Sequence, residues 1–424
     1  MTRPRTWLMR GGIVALTGAL LLFAVVLLVQ PRGLPLRDGP PPPASPELVA
    51  RGAYLARAGD CTACHTAPGG KPFAGGLAMQ TPFGTIVSTN ITQDRETGIG
   101  GWTEQAFARA LRQGAAADGH LLYSAMPYNA YTKVSDADIH ALKAYFDTIP
   151  PVRNRIDANR LPFPFSIRQV MLGWNLLFFR DRRFQPDAHR SPDWNRGAYL
   201  VDGLGHCAAC HSAKNLLGGD EAYMQGGVLQ GWYAPELSGN RHVGLGTWSH
   251  GDLTAYLKTG ANTRAVAAGP MAEAVEHSTQ YLAEADLRAI AGYLKSLPGS
   301  GRTPPAALAI SDARMRNGRA IYAVNCTACH RSIGDGVATM LPALARSPTV
   351  QAPDPTNLVR TVLHGGTAAA TRANPTGARM PGFAWKLDDA QIADVLTYIR
   401  NAWGNAAAPV KSGTIRKARA NTHS

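Results

Sequence analysis

The pentapeptide Cys-x-x-Cys-His occurs three times, at residues 61–65, 207–211 and 326–330, and uses all six cysteines of the 424-residue chain. Two thiols at this spacing lie on one turn and can add to the two vinyl groups of a porphyrin. The histidine that follows then falls beneath the ring as proximal iron ligand. Three motifs with no cysteine left over predict three covalently attached haem c groups. Cys61 and Cys64, Cys207 and Cys210, and Cys326 and Cys329 would carry the thioethers, with His65, His211 and His330 on iron. A structural zinc site wants paired Cys-x-x-Cys knuckles, and three pairs leave an odd half-site. Iron–sulfur clusters at four cysteines each leave two over. No βαβ pattern surrounds any motif, which argues against a thioredoxin-like site.

The length suits about three domains of ordinary size, so each motif has room for one small domain. The formal charge is +14, and six haem propionates would lower it to about +8. Nucleic acid is therefore a poor reading of that charge, and an anionic membrane surface or acidic partner is a better one. Residues 11–29 carry no charge and follow Arg3, Arg5 and Arg10. Such a run is long enough to span a bilayer, with its start in the cytoplasm and the remainder exported. It ends without a good small-x-small cleavage site, which favours an uncleaved anchor over a signal peptide. The expected location is the periplasmic side of a bacterial inner membrane.

The expected order is a membrane segment over 1–30, a Pro-rich tether over 31–44, and a first haem domain over 45–152. An aromatic and Arg-rich linker over 153–187 precedes a second domain over 188–299. A third domain over 310–405 and a basic, solvated tail over 406–424 complete the chain. Repetition supports this division. Arg51-Gly52-Ala53-Tyr54-Leu55 precedes the first motif, Arg196-Gly197-Ala198-Tyr199-Leu200 the second, and Gly318-Arg319-Ala320-Ile321-Tyr322 is a looser third copy. Each unit closes on a segment of helical period, over 136–148, 284–297 and 388–403. Ser45-Pro46 reads as a helix start, and Ser135 with Asp138 as a capping box. Strand signals are weak throughout. The predicted fold is mostly α: three tandem class I cytochrome c-like domains, one haem each, behind an N-terminal membrane segment.

The sixth iron ligand is commonly Met or His in electron-transfer haems. Met126, Met271 and Met380 each stand beside a proline, between a glycine-ended helix and the closing helix. Their equivalent places in three repeats make them the expected distal ligands. Met79, Met224 and Met340 follow their histidines too closely, with unlike flanks, and read as packing residues. Trp102 and Trp248, each twelve residues before a glycine, read as core or haem-edge packing. Two readings stand for the linker 161–179: a helix packed between two haem domains, or an interfacial segment or partner surface, where aromatics dip in and arginines meet headgroups or acidic residues.

These residues together resemble the triheme cytochrome c subunit of membrane-bound, quinone-linked sugar and alcohol dehydrogenases, over about residues 48 to 404. The most specific matches are residues 81–92, the run Tyr123-Ser124-Ala125-Met126-Pro127-Tyr128, the linker, and Gly269-Pro270-Met271. The resemblance implies that a separate flavin- or pyrroloquinoline-quinone-containing catalytic subunit oxidises the substrate. This chain would then pass electrons through its haems to membrane ubiquinone, with no substrate catalysis of its own. The competing reading is a stand-alone, membrane-tethered periplasmic cytochrome that donates to a terminal oxidase or another acceptor. A haem peroxidase would need an open distal site, against three methionine caps.

Overall fold

The computed structural model of the chain describes residues 12–14, 16–21, 23–24 and 31–420. The uncharged run 11–29 lies only partly within them. Among the described residues no helix is long and apolar enough to cross a membrane. The chain divides into two compact units, one of Met1–Gly52 and Cys64–Phe184, the other of Ala53–Ala63 and Gln185–Ser424.

Helix α1 (Pro46–Ala58), whose residues up to Gly52 belong to the first unit, starts where Ser45 Oγ accepts the Leu48 N–H at 3.2 Å. Proline at the first helical position costs no hydrogen bond and presets φ. After the motif turn, strands β1 (Ala78–Thr81) and β2 (Gly84–Val87) form an antiparallel ribbon. Helix α2 (Glu104–Gln113) is capped by Thr103 and stopped by Gly114 at φ 64°. Helix α3 (Asp136–Phe146) buries Ile139, Ala141, Leu142 and Phe146. Its cap is Ser135, whose Oγ accepts the Asp138 N–H at 3.2 Å.

α3 crosses α1 at Gly52, and the crossing explains the repeated Arg-Gly pair. A Cβ on Gly52 would stand 1.9 Å from the Ala141 carbonyl oxygen. Beside it, Arg51 bonds Asp138 at 3.0 and 2.5 Å. Helix α4 (Val170–Phe178) lies in the linker. Met171 is buried and Tyr128 Oη donates to Asn175 at 2.7 Å, so one face of α4 is packed on this unit. Leu176 and Leu177 on the other face are 78 % and 58 % exposed.

Residues 31–39 are not a free tether. The Leu34 N–H bonds Ala117 O at 2.8 Å and the Arg37 N–H bonds Gly101 O at 2.6 Å. The Arg37 guanidinium also reaches Asp147 at 3.3 Å. Proline content predicted stiffness but could not reveal that the segment's own backbone groups find partners on the first unit.

The second unit holds two copies of the same plan. Helix α5 (Pro192–Asp202), the ribbon β3 (Gly227–Leu229) and β4 (Trp232–Ala234), and helices α6 (His250–Thr259), α7 (Pro270–His277) and α8 (Glu284–Ser296) form the first copy. Helices α9 (Ala313–Asn325), α10 (Thr356–His364) and α11 (Asp389–Ile399) form the second. α8 packs on α5 and α11 on α9. The glycine crossing recurs: a Cβ on Gly197 would stand 2.0 Å from Ala289 O, and one on Gly318 2.2 Å from Asp394 O. Arg196 bonds Asp286 at 2.8 and 2.7 Å, as Arg51 bonds Asp138. The looser third copy replaces that arginine by Asn317, which donates to Asp394 at 3.1 Å.

The C-terminal segment departs from the solvated tail expected. Helix α12 (Ser412–Ala420) packs on α11, with Ile415 fully buried. Arg419 bonds Asp389 at 2.9 Å and two backbone carbonyls, of Ala384 and Leu387. Basic residues that pair with carboxylate and carbonyls at a helix end are structural, and composition alone hides this.

Candidate haem sites

Each motif occupies a single helical turn: Cys61–Cys64, Ala208–His211 and Thr327–His330. All six cysteines are free thiols, and none is fully buried. The thiol of Cys207 is pushed up to about 12 by burial, with Asp202 adding to it, and that of Cys326 up to about 11. Among the described residues no three His, Cys, Asp or Glu side chains converge as a metal cluster.

The histidines share one further contact that the sequence did not announce. His65 Nδ1 bonds the Thr89 carbonyl at 2.7 Å, His211 Nδ1 the Pro235 carbonyl at 2.6 Å, and His330 Nδ1 the Pro342 carbonyl at 3.2 Å. A carbonyl can only accept, so Nδ1 carries the proton and Nε2 keeps its lone pair. That tautomer is the one an iron ligand needs, and the carbonyl also fixes ring orientation. Burial lowers the pKa of all three imidazoles, against the smaller opposing effect of the carbonyl bond. The neutral, metal-ready form is thereby favoured.

The three methionines sit in different backbone settings, all half-buried. Met126 lies in a turn, where its N–H bonds Tyr123 O at 3.0 Å. Met271 opens α7 and packs on Ala267, Ala272, Val275 and Ala369. Met380 lies on strand β6 (Arg379–Met380), paired with β5 (Gly366–Thr367). Met380 packs against the same hydrophobic cluster as Cys326. The methionines read as packing residues divide: Met224 is fully buried, whereas Met340 is 56 % exposed. Trp248 is buried, as expected of a core residue.

Two polar features bear on what such a site would hold. The Trp248 indole N–H is buried without a protein partner. A group bearing carboxylates would satisfy it, as haem does with its propionates. Asp60, directly before Cys61, has one carboxylate oxygen buried and unpartnered, and its pKa is pushed up to about 8 by burial, with Glu273 adding to the rise. Sequence reasoning passed over Asp60 because a lone carboxylate carries no spacing signal. Paired thiols, a histidine with Nε2 free, a half-buried thioether and an orphaned donor fit covalent haem.

The cytochrome c family profile matches residues 195–298 and 315–403, which hold the second and third motifs. A gluconate 2-dehydrogenase cytochrome c subunit from Pantoea cypripedii is 43% identical over 86% of this chain and 87% of that protein. This chain belongs to the cytochrome c subunits of dehydrogenase complexes. The cytochrome c subunit of a quinone alcohol dehydrogenase from Gluconobacter oxydans is 40% identical over 88% of the chain and 82% of its own length. The fructose dehydrogenase cytochrome subunit of Gluconobacter japonicus is 38% identical over 96% and 88%. A member of this family carries covalent haem c, transfers electrons and implies a catalytic dehydrogenase partner.

Proposed function

We propose that this chain is a triheme relay that takes electrons one at a time from a flavin- or pyrroloquinoline-quinone-dependent catalytic subunit and delivers them to membrane ubiquinone. The observation that carries the reading is threefold: each Cys-x-x-Cys-His turn has its histidine Nδ1 tied to a backbone carbonyl. Haem supplies reversible one-electron Fe(II)/Fe(III) chemistry when bound. The chain's own residues do the rest. Cys61, Cys64, Cys207, Cys210, Cys326 and Cys329 would hold the porphyrins. His65, His211 and His330 would present Nε2 to the iron, and Met126, Met271 and Met380 would each offer it a thioether sulfur. Methionine raises the potential relative to a second histidine, which suits acceptance of electrons from a substrate-reduced cofactor.

Attachment to the periplasmic face of the inner membrane belongs to the same proposal. The arginine-flanked uncharged run 11–29 supports it. So does the linker, where Phe163, Leu176 and Leu177 are exposed and Arg180 bonds the Leu176 carbonyl at 3.2 Å. Apolar side chains next to cations suit an anionic lipid surface. An alcohol, a sugar or a sugar acid is the expected substrate class of the partner.

Purification of the chain with its genomic neighbours, followed by haem quantification and substrate addition, tests the reading. Three haems per chain, a co-purifying dehydrogenase subunit, and haem reduction by its substrate are expected. Loss of quinone reduction when the chain is removed completes the case. Isolation of the chain alone, with no substrate-dependent haem reduction, would sink it and favour the stand-alone cytochrome.

A further inference from the structure

The carbonyls that hold the first two histidines are followed by unlike residues in the same register. Asn90 follows Thr89, and Glu236 follows Pro235. Both side chains are buried, at 3% and 2% exposure. Asn90 spends its amide in both directions. Its Nδ2 donates to Thr97 Oγ1 at 2.9 Å and to Val152 O at 2.7 Å. Its Oδ1 accepts from the Thr92 N–H at 2.9 Å and the Thr92 hydroxyl at 2.8 Å. Glu236 instead accepts the hydroxyls of Ser238 and, at 2.9 Å, Ser300. Ser238 stands where Thr92 does in the first copy. At the third site the residue after Pro342 is Ala343. One position thus carries a neutral amide, a carboxylate and a methyl group.

A buried carboxylate held by two hydroxyls and, at 3.4 Å, the Ser300 N–H is an unusual choice where an amide serves elsewhere, because desolvating a charge is costly. Among the described residues it pairs with Arg302, at 3.8 Å, whose side chain is 40% exposed against 0% for Glu236. Solvent screens the guanidinium more than the carboxylate. A net negative potential therefore remains on the histidine side of the second site. Oxidised haem carries one more positive charge than reduced haem, and an anion in a poorly screened environment stabilises that charge. The carbonyl bond to His211 pulls in the same direction by raising imidazole basicity.

We propose that Glu236 sets the second haem apart from the first by favouring its Fe(III) form, as a tuning residue acting through space behind His211. The inference rests on the three-haem reading above. Its test is a redox titration of the purified full-length protein, followed by optical and EPR spectra that resolve the haems. Glu236→Gln keeps the acceptor oxygen and removes the charge. It is expected to raise one midpoint potential, equivalent to a change of about tenfold in that haem's Fe(II)/Fe(III) ratio at fixed potential. The other two potentials and the methionine–iron absorption stay in place. Asn90→Asp is expected to lower the potential of a different haem.

Unchanged potentials in a fully haem-loaded Glu236→Gln protein overturn the proposal. Where that variant does not load, Arg302→Gln reads the same charge without altering the buried residue. Its second haem should become easier to keep oxidised, and an unshifted potential there overturns the proposal equally. A wild-type haem count below three would break the functional reading itself, which is a separate measurement.

Discussion

In the first two sites the carbonyl that holds the histidine lies 24 residues downstream, and in the third it lies 12 downstream. The longer route contains an antiparallel ribbon in both cases, Ala78–Val87 and Gly227–Ala234. The shorter route has only an isolated bridge, between Val337 and Leu341. The contact itself survives in all three, lengthened to 3.2 Å in the third. What recurs is thus the acceptor at Nδ1, and the chain reaches it by two different paths. The lesson is that the ribbon is dispensable to the tautomer, whereas the carbonyl is not.

The comparison can be broken most severely at the helix crossing, which all three copies share. Valine at Gly197 would drive a side chain into Ala289 O, and neither helix can yield without losing its partner. We expect Gly197→Val to cost upward of about 3 kcal/mol and to lower the haem content by one. Gly52→Val and Gly318→Val should behave alike. Haem quantification with thermal unfolding checks this, and a tolerated valine at Gly318 alone would show the third copy to be differently built.

Met380→Ala should remove the share of the methionine–iron absorption that comes from one haem only. Unchanged intensity would refute the ligand assignment at the third site. A smaller effect is expected at Asp60. Burial raises its pKa from the ordinary 3.8 to about 8, so the acid stays neutral in the fold below that value and costs stability as pH rises through that window. At about 1.4 kcal/mol per unit of pKa, Asp60→Asn should stabilise the protein by up to a few kcal/mol, with nearly all of the gain appearing between pH 4 and 8. Unfolding midpoints at pH 4, 6 and 8 would show it, and a gain independent of pH would exclude this cause.

The finest test concerns the bond lengths. On the triheme reading, a longer Nδ1–carbonyl contact leaves His330 the least basic of the three histidines, which favours Fe(II). The third haem should therefore titrate at the highest potential, by some tens of millivolts, where 59 mV is a tenfold ratio for one electron. Assigning the potentials with the single methionine variants decides the order.

The thiols and histidines were legible because covalent attachment is written in contiguous spacing. The helices that open and close each copy were legible because burial imposes a 3.6-residue period. The Arg-Gly repeat was visible as a repeat, but its reason, a backbone approach too close for a Cβ, needs coordinates. The supporting carbonyls were invisible, since every residue owns one. Residues 31–39 and 412–420 were misjudged for a related reason. In both, a few contacts such as Arg37 with Asp147 and Ile415 in the core outweigh a composition that reads as linker or tail.

The strap formed by residues 31–37 has a kinetic meaning. Chain that is hydrogen-bonded along the first unit cannot act as a loose leash, so the segment N-terminal to residue 31 departs from a fixed point on that unit. If that segment is held at a surface, the first haem region would meet it in one preferred orientation, with a small search volume and a correspondingly high effective concentration. Encounter with a partner on that surface would then depend on reorientation of a held body more than on diffusion of a tethered one.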